Sequence, residues 1–290
     1  MSLSLGKHAV PLRDRSFKLA LYLSIAVGII VLGVLLVYVT VKGWPRLNLE
    51  LITNMPSQRR PQLAGAQSAI TGTLWVVTFT AVFAIPTGVL AAVYLEEYAS
   101  TSSRFARFVE VNIQNLAAVP SIVYGILGLA IFARALALGQ SVITAALTLA
   151  LLVLPIVIIA AREALRAVPQ SIRDGSMALG ATRWQTTWRQ VLPAATPGIA
   201  TGTILAISRA IGEAAPLLLL GAVAFITFNP NGLLSAYTTL PIQIFNWTKD
   251  SREEFQILAS ATIVVLLISL VILNGVAIWI RNKTQKRWKP

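Results

Sequence analysis

Two charged residues, Arg209 and Glu213, stand inside an apolar stretch that runs from about Pro197 to Phe228. They are four residues apart, so on a helix they share one face and lie within reach of an ion pair. If the helix starts near Gly198, Arg209 lies about 16 Å along it, close to the middle of a bilayer core about 30 Å thick. A guanidinium donates two parallel hydrogen bonds to the oxygens of phosphate or sulfate. The pattern therefore predicts an anion path through the membrane, with Ser208 beside it.

Arg209 and Glu213 also have a purely structural interpretation. A lone charge at the centre of a bilayer costs at least about 2.5 kcal/mol, and a buried ion pair can serve only to fix the register of its helix. The formal charge of the pair is zero, so an anion trap built on it needs further cationic groups, for example from a second subunit. Glu213 would then keep the arginine from holding an anion too long, because conduction needs release as well as binding.

Arg162 lies where the fourth apolar run ends. A cation in the last turn of a helix complements the helix dipole, which suffices to explain the residue. At the inner mouth of a path, Arg162 would also meet a departing anion, so it is included among the candidate path residues. At the inner end of the second run, Glu96 and Glu97 are expected to be solvated or to pair with Arg104 or Arg107.

Enzymatic chemistry has little support in this sequence. The chain has no cysteine and a single histidine, His8, in a polar tail. It contains neither an H-E-x-x-H segment nor a nucleotide-binding G-x-x-x-x-G-K-[ST] segment, and the only base near Ser208 is Glu213. We therefore expect a transport subunit, not an enzyme. It should bind no metal or cofactor itself and depend on a separate subunit for ATP hydrolysis.

The elements that must position these residues are membrane spans. Of the 290 residues, 56% are apolar and 12% are charged, and the mean hydropathy is +0.73; soluble proteins are about a quarter charged. A helix needs roughly 20 apolar residues to cross a bilayer. The sequence therefore predicts an all-α polytopic membrane protein with six transmembrane helices. The six apolar runs are Leu19 to Val41, Pro61 to Leu95, Val111 to Ala133, Ala135 to Ala161, about Pro197 to Phe228, and about Phe255 to Ile280.

Lysine and arginine residues are distributed unevenly between the loops. With a cytoplasmic N-terminus, 16 of the 24 lie in cytoplasmic segments and 7 lie outside, a distribution that the positive-inside rule favours. We therefore expect both termini to be cytoplasmic, as tails of residues 1–18 and 281–290 around a membrane domain of residues 19–280. The net charge of +13 then faces anionic lipid headgroups, and we expect no nucleic-acid partner.

The loop from Arg162 to Thr196 contains helix signals of its own. Ser171 and Asp174 have capping-box spacing for a first short helix, and Gly180 can end that helix with a positive φ. Thr182 is suited to cap a second helix. The loop is therefore predicted to form a helix, a tight turn and a helix at the membrane surface.

The second of these helices carries Trp184, Trp188, Val191 and Leu192 on one apolar stripe, and Pro193 is expected to stop it. Periodicity alone leaves two uses open. The stripe fits a surface that is gripped by another protein, and it equally fits an amphipathic helix that lies on lipid.

The same loop resembles the EAA loop of binding-protein-dependent ABC importer permeases. In that pattern three residues of EAA type precede a glycine, and a leucine-proline pair closes the loop; this chain has the glycine and the closing pair, with Asp-Gly-Ser in place of Glu-Ala-Ala. The resemblance implies that the loop seats in a groove of the ATP-hydrolysing subunit. The coupling residues that it implies are Asp174, Gly175, Ser176, Gly180, Leu192 and Pro193.

Three stretches resemble a narrower family, the PstA-type phosphate importer permeases: Ser208 to Leu217, Pro86 to Ala99 and Asn115 to Gly125. The similarity extends from about residue 67 to residue 280. It implies the type I ABC importer permease fold and the import of inorganic phosphate across the cytoplasmic (inner) membrane of a prokaryote. It also implies that Arg209 and Glu213 belong to the substrate path.

The resemblance implies four kinds of partner besides lipid and phosphate. They are a homologous PstC-type permease, two copies of a PstB-type ATPase that uses ATP and Mg²⁺, and a PstS-type phosphate-binding protein on the outer side. The nearest alternatives are the PstC-type permease itself and a permease of the same fold for another oxyanion.

Overall fold

The computed structural model describes residues 12–100, 103–221 and 225–285. Within these ranges all regular elements are helices, which confirms the predicted all-α class. Three π-helical turns, Tyr94–Tyr98, Leu129–Ala135 and Thr187–Val191, directly continue the third, fifth and eighth α-helices. The α-helices in chain order are α1 Leu12–Gly43, α2 Leu49–Thr53, α3 Gln67–Val93, α4 Arg104–Ala117, α5 Ser121–Gly128, α6 Val142–Arg166, α7 Gln170–Ala178, α8 Arg183–Thr186, α9 Leu192–Gly212, α10 Ala215–Leu219, α11 Leu240–Lys249 and α12 Glu253–Gln285.

The predicted tails are partly helical where the structure describes them. α1 already begins at Leu12 and α12 continues to Gln285, so helix extends into residues that the charge pattern assigns to the tails 1–18 and 281–290. His8, with the rest of residues 1–11, lies outside the described part of the chain, as do residues 286–290.

α3 and α6 lie side by side and run in the same direction. Thr80 Oγ1 of α3 donates to the carbonyl of Ala146 at 3.3 Å. Farther along both helices, Glu96 in the π-helical turn after α3 pairs with Arg166, the last residue of α6, at 3.1 Å. We call the end of the bundle where α3 and α6 finish and α7 follows the α7 end, and the other end the opposite end.

α9 packs antiparallel against α6 through small residues. A Cβ atom on Gly202 would lie 2.2 Å from Cβ of Ala160, and one on Gly198 would lie 2.7 Å from Cβ of Ala164. Only glycine therefore allows the two backbones to approach this closely. Farther along the same stripe Ala206 is buried in the apolar cluster that includes α6 residues.

We expect Gly202→Val to lower the thermal unfolding temperature of the purified protein, because the added side chain overlaps Ala160 and pushes α9 away from α6. Overpacking of this kind costs about 1–3 kcal/mol. The control is Gly275→Ala in α12, where an added Cβ would meet no atom within 4 Å; this variant should unfold at the parent temperature or slightly above it. A parent-like unfolding temperature for Gly202→Val would contradict the close α6–α9 contact.

Five helical segments in the described ranges are long and apolar enough to cross a bilayer: Ser16–Arg46, Gln67–Tyr98, Val142–Arg166, Arg183–Gly212 and Glu253–Lys283. The predicted six are reached if Arg104–Ala117 and Ser121–Ala135, which meet at 104°, form one bent span. The predicted third span, Val111 to Ala133, therefore corresponds to a bent pair of helices and not to one helix. Pro120 has no N–H to donate and disfavours helical backbone at Val119, so the helix ends there.

The predicted fifth span is also wrong at both ends. Helix continues through Pro193, which stands second in α9. The π-helical turn before it changes the hydrogen-bond register and accommodates a residue without an N–H. At the other end α9 stops at Gly212, and Glu213 and Ala214 separate it from the short α10. The apolar run to Phe228 is thus a long helix, a break and a short helix.

The predicted helix-turn-helix between the fourth and fifth spans is confirmed in outline. Gly180 has φ +84°, and Thr182 caps α8 in a capping box with Gln185. The capping box expected at Ser171 and Asp174 is wrong. α7 begins at Gln170, directly after Pro169, so Ser171 lies inside the helix and Asp174 accepts a hydrogen bond from Gln170 Nε2 at 3.1 Å.

Candidate functional site

Arg209 lies about halfway along the central helices. In the antiparallel register Gly198 faces Ala164 and Gly202 faces Ala160, and continuing that register brings Arg209 level with Val153. Val153 is close to the middle of α6, Val142–Arg166. The guanidinium therefore belongs to the mid-depth of a segment long enough to span a membrane.

The helix that carries Arg209 ends in the same turn. Gly212 is the last residue of α9, and Glu213 has an extended backbone with φ −80° and ψ 117°. The last turn of a helix presents carbonyl oxygens without intrahelical partners and favours a nearby cation. Non-helical backbone at membrane depth occurs where it is covered by protein or lines a water-filled cavity. Interrupted spans of this kind form the ion and substrate sites of many transporters.

Arg209 and Glu213 form the ion pair that their spacing indicates, but across the break and not on one continuous helix. Arg209 Nε donates to Glu213 Oε1 at 3.3 Å, and the side chains are 47% and 17% exposed. Within the described residues Nη1 and Nη2 of Arg209 make no hydrogen bond. The forked end of the guanidinium is therefore open to an oxyanion, while its base is held by the carboxylate.

The two interrupted spans meet where α9 ends. A Cβ on Gly125 of α5 would lie 2.7 Å from Cα of Pro216 in α10. On the other side of the bend, Tyr124 Oη donates to the carbonyl of Leu116 in α4 at 2.8 Å, which holds α4 and α5 at their sharp angle. The Pro120–Gly125 and Ser208–Leu217 segments thus build one region from two distant parts of the sequence.

Ser208 points away from this region. Its hydroxyl lies 2.7 Å from the carbonyl of Ile204 and 2.5 Å from Asn274 Oδ1 of α12. Together with α3 and α12 it lines a largely apolar cavity of about 650 Å³, which Arg281 reaches from the α7 end. The structure therefore places Ser208 on the α12 side of α9 and does not bring it together with the open end of Arg209.

Arg162 lies far from Arg209 and is held by two carboxylates. Its Nη1 is 3.0 Å from Glu110 and its Nε is 3.4 Å from Glu96. Along α6 it is nine residues beyond Val153, which corresponds to about 14 Å. In the conformation described here, Arg162 closes the α7 end of the bundle by joining α4 to the end of α3.

The expected surroundings of Glu96 and Glu97 are wrong. Glu96 pairs with Arg162 and Arg166, and Glu97 pairs with Arg173; the two carboxylates are 17% and 7% exposed. Arg104 and Arg107 are nearer in sequence and exposed on α4, and in the described residues neither forms an ion pair with these carboxylates, although Arg107 lines a pocket with Glu96. Glu97 is therefore buried at the α7 end, and Glu96 is half-buried beside it.

The loop between α6 and α9 presents an apolar surface. Leu179 is 91% exposed, and Met177 and Trp184 are also exposed. Trp184 and Trp188 have ring centroids 5.2 Å apart. We call Met177, Leu179 and Trp184 the loop surface; nothing in the described chain covers it.

The coupling residues predicted for this loop fall into two groups. Asp174, Gly175 and Gly180 are exposed beside the loop surface, and Ser176 Oγ lies 2.9 Å from Thr186 Oγ1, joining α7 to α8. Leu192 and Pro193 instead lie within the long helix and line the cavity between α3, α9 and α12. The structure thus separates the closing leucine-proline pair from the exposed part of the loop.

Residues 84–287 match the family described as the binding-protein-dependent transport system inner membrane component. The match covers more than half of the chain and includes the Arg209 region, the bent third crossing and the whole loop. The chain belongs to this family. It is a multi-pass membrane permease, and its transport system includes a separate binding protein and ATPase.

Curated relatives agree with the family and with the resemblance to PstA-type permeases. The permease is 34% identical over 249 residues to the phosphate transport system permease protein PstA 1 of Mycobacterium tuberculosis, with 86% of this chain and 79% of the relative covered. It is 32% identical to PstA of Yersinia pestis, with 91% and 90% covered. It is 29% identical to the probable ABC transporter permease protein YqgI of Bacillus subtilis, with 86% and 88% covered.

Solved structures confirm the predicted type I ABC importer permease fold. A chain of a bacterial alginate ABC transporter, in complex with an alginate-bound periplasmic protein, has a TM-score of 0.66 at 14% identity and covers 91% of the permease and 93% of its own length. A chain of the inward-facing MetNI methionine transporter has a TM-score of 0.56 at 17% identity, covering 76% and 94%. At these identities the likeness concerns the fold alone.

Two features of the permease were missed by sequence reasoning. The first is the exposed Leu179 of the loop surface. Its position directly before Gly180, a glycine that can end a helix, is the sequence signal that indicates its exposure. The buried pair of Glu97 and Arg173 joins residues 76 positions apart, and neither has a local pattern that indicates the other. The first could have been found from sequence, and the second needed the fold.

Proposed function

We propose that this permease is a transmembrane subunit of an ATP-driven importer that carries inorganic phosphate across the cytoplasmic membrane of a prokaryote. The observation that carries the proposal is Arg209: a half-exposed guanidinium at mid-depth, beside a broken helix, with the forked end free. A guanidinium fork matches the oxygens of phosphate in geometry and charge. The names of the PstA relatives support phosphate as the anion.

The path requires more positive charge than this chain supplies at Arg209. Glu213 neutralises the pair, so we propose that a PstC-type second permease contributes the remaining cationic groups. Glu213 also limits how tightly the arginine holds the anion, which conduction requires. Arg162 would meet the anion on its way out, once the carboxylates of Glu96 and Glu110 release it. In that role Arg162 acts as an exit gate and not as a resting site.

The α7 end is proposed to be cytoplasmic. Lysine and arginine are concentrated in the segments that lie there if both termini are inside. The loop surface, Met177, Leu179 and Trp184, then faces the cytoplasm and seats in a groove of a PstB-type ATPase dimer. ATP and Mg²⁺ would be bound by that dimer and no cofactor by this chain. A PstS-type phosphate-binding protein would deliver the anion at the opposite end.

The transport cycle follows from these placements. ATP binding closes the two ATPase subunits, and the loop on each permease moves with them. The bundle then turns the Arg209 region from the cytoplasmic side towards the binding protein, which releases phosphate into it. Hydrolysis reverses the movement and the anion leaves inwards. The alternation needs a bistable bundle, which the interrupted α4–α5 and α9–α10 spans supply.

Uptake of radiolabelled phosphate into vesicles tests the proposal. The complete transporter, with its binding protein outside and ATP inside, should accumulate phosphate, and a hundredfold excess of unlabelled sulfate should leave that uptake nearly unchanged. Vesicles containing a hydrolysis-deficient ATPase serve as the control. Uptake that sulfate suppresses as well as phosphate does would assign the permease to another oxyanion, and ATP-independent uptake would contradict an ATP-driven importer.

A further inference from the structure

Glu97 is a buried carboxylate at the point where α3 ends. It lies in the π-helical turn Tyr94–Tyr98, and its side chain is 7% exposed. A carboxylate removed from water is destabilising unless a cation and hydrogen-bond donors replace its hydration. Its partner is Arg173 of α7, which is 13% exposed.

Arg173 uses all three of its guanidinium nitrogens. Nη2 lies 2.7 Å from Glu97 Oε1 and Nε lies 3.2 Å from the same oxygen. Nη2 also donates to the carbonyl of Leu165 at 2.9 Å, and Nη1 donates to the carbonyl of Val168 at 2.7 Å. One planar group therefore joins α7 to the end of α3 and to the last turn of α6.

The two carbonyl acceptors explain why this arginine is held so firmly. The last carbonyls of a helix lack intrahelical partners, and Leu165 stands in the last turn of α6 while Val168 follows it. A planar guanidinium bonded on three sides resists both rotation and translation, which an ammonium group on a flexible stem would not. The joint is therefore stiff as well as buried.

Among the residues that the structure describes, no other side chain of α7 forms a hydrogen bond to the spans. Gln170 bonds to Asp174 within the helix, and Ser176 bonds to Thr186 of α8. Met177 lies one helical turn after Arg173 and lines the same pocket as Arg173 and Glu97. Its side chain and that of Leu179 are exposed on the loop surface. Within the described residues, Arg173 is therefore the side chain of α7 that connects the exposed loop surface to α3 and α6 by hydrogen bonds.

We propose that Glu97 and Arg173 form the joint through which movement of α7 reaches α3 and α6. The inference rests on the proposed function of the loop as the ATPase contact, and it makes both residues positioning residues that do not contact the anion. A displacement of α7 must either carry the ends of α3 and α6 with it or break the five hydrogen bonds of Arg173 to Glu97, Leu165 and Val168. Without the joint, α7 follows the ATPase while the bundle that holds Arg209 does not.

The neighbouring ion pair of Glu163 and Arg166 provides the matched control. It lies at the same end of α6, with side chains 64% and 52% exposed, and joins residues of one helix. Exposed pairs of this kind contribute little, and this one connects no two elements. Removing its carboxylate changes charge at the same place without cutting the joint.

The test measures ATP hydrolysis and phosphate uptake in the same vesicles containing the complete transporter. Glu97→Gln should still co-purify with the ATPase and hydrolyse ATP, but should consume about tenfold more ATP per phosphate transported, the size of a typical coupling between sites. Glu163→Gln should keep the parent ratio. If Glu97→Gln hydrolyses as much ATP per phosphate as the parent, the proposal is overturned, because coupling would then not depend on the joint.

A second measurement does not depend on which anion is carried. Spin labels at Ser171→Cys in α7 and Leu90→Cys in α3, both exposed positions, report the distance between the two helices. In the parent this distance should stay constant when ATP is added, and with Glu97→Gln it should shift. An identical response of both proteins overturns the joint. If the parent takes up no phosphate but its α7–α3 distance still stays constant when ATP is added, only the proposed substrate is overturned.

A crosslink tests the joint independently if Glu97→Gln assembles poorly. The chain has no cysteine, so Glu97→Cys with Arg173→Cys introduces its only two thiols, and a short bifunctional maleimide can bridge them. Treatment should restore the parent ratio of ATP to phosphate in the double variant and leave the equally treated parent unchanged. A treated double variant that remains uncoupled overturns the proposal.

Discussion

Arg209→Ala is expected to reduce phosphate uptake at least about a hundredfold while the transporter still assembles. Each hydrogen bond between an ionised donor and an anion contributes about 1.5–3 kcal/mol, and the free fork of Arg209 offers two of them. Alanine removes both bonds and the only cation that the described part of the chain places at this depth beside the break in α9. Initial rates of labelled phosphate uptake, with co-purification of the other subunits as the assembly check, measure the effect.

Two further variants, Arg209→Lys and Arg134→Ala, show whether the loss of uptake depends on a guanidinium at this position. Lysine keeps the charge but cannot form the bidentate contact, so Arg209→Lys should retain an intermediate rate. Arg134 is an exposed arginine in the π-helical turn after α5, and Arg134→Ala should transport at nearly the parent rate. Parent-like uptake by Arg209→Ala would make the Arg209–Glu213 pair a structural device, and the anion route would then lie elsewhere.

The charged pair of Arg209 and Glu213 could be recognised from sequence, whereas the backbone break beside it could not. A charge inside an apolar run can be recognised from sequence alone, because a charged side chain at the centre of a bilayer is costly and must face protein or water. The break after Gly212 does depend on packing. Apolar residues continue to Phe228, and the contacts of Gly125 with Pro216 and Leu219 show that α10 packs against α5. Composition therefore predicted a continuous helix where the fold has two pieces.

The geometry of the bent third crossing also depends on packing. Residues 111–133 are uncharged and long enough to form one span, and Pro120 disfavours helical backbone at Val119 within them. What composition does not reveal is that Glu110 of α4 reaches Arg162 of α6, which holds α4 at the α7 end. Local signals such as Gly180 and Thr182, by contrast, depend on a few neighbouring residues, and both were predicted correctly.

Leu179→Asp is expected to abolish association with the ATPase while leaving the permease folded. Leu179 is 91% exposed and stands next to Gly180, whose φ of +84° forms the turn that projects it. Since its side chain touches little in this chain, a carboxylate there should not change the unfolding temperature. In the groove of the ATPase, the same change removes about 1.5–3 kcal/mol of apolar burial and adds an unpaired charge. Pull-down of the ATPase by the tagged permease measures the loss.

Two variants of Gly180 distinguish the effect of direct contact at the loop surface from the effect of the turn conformation. Gly180→Val places a β-branched residue in left-handed backbone, which costs about 1–2 kcal/mol or more, and should also weaken the association. Gly180→Asn should largely preserve it, because asparagine tolerates that conformation. Leu234→Asp alters a residue that is 70% exposed at the opposite end and should leave the ATPase bound. If Leu179→Asp retains the ATPase as well as Leu234→Asp does, the loop surface lies on lipid instead, as Trp184 equally allows.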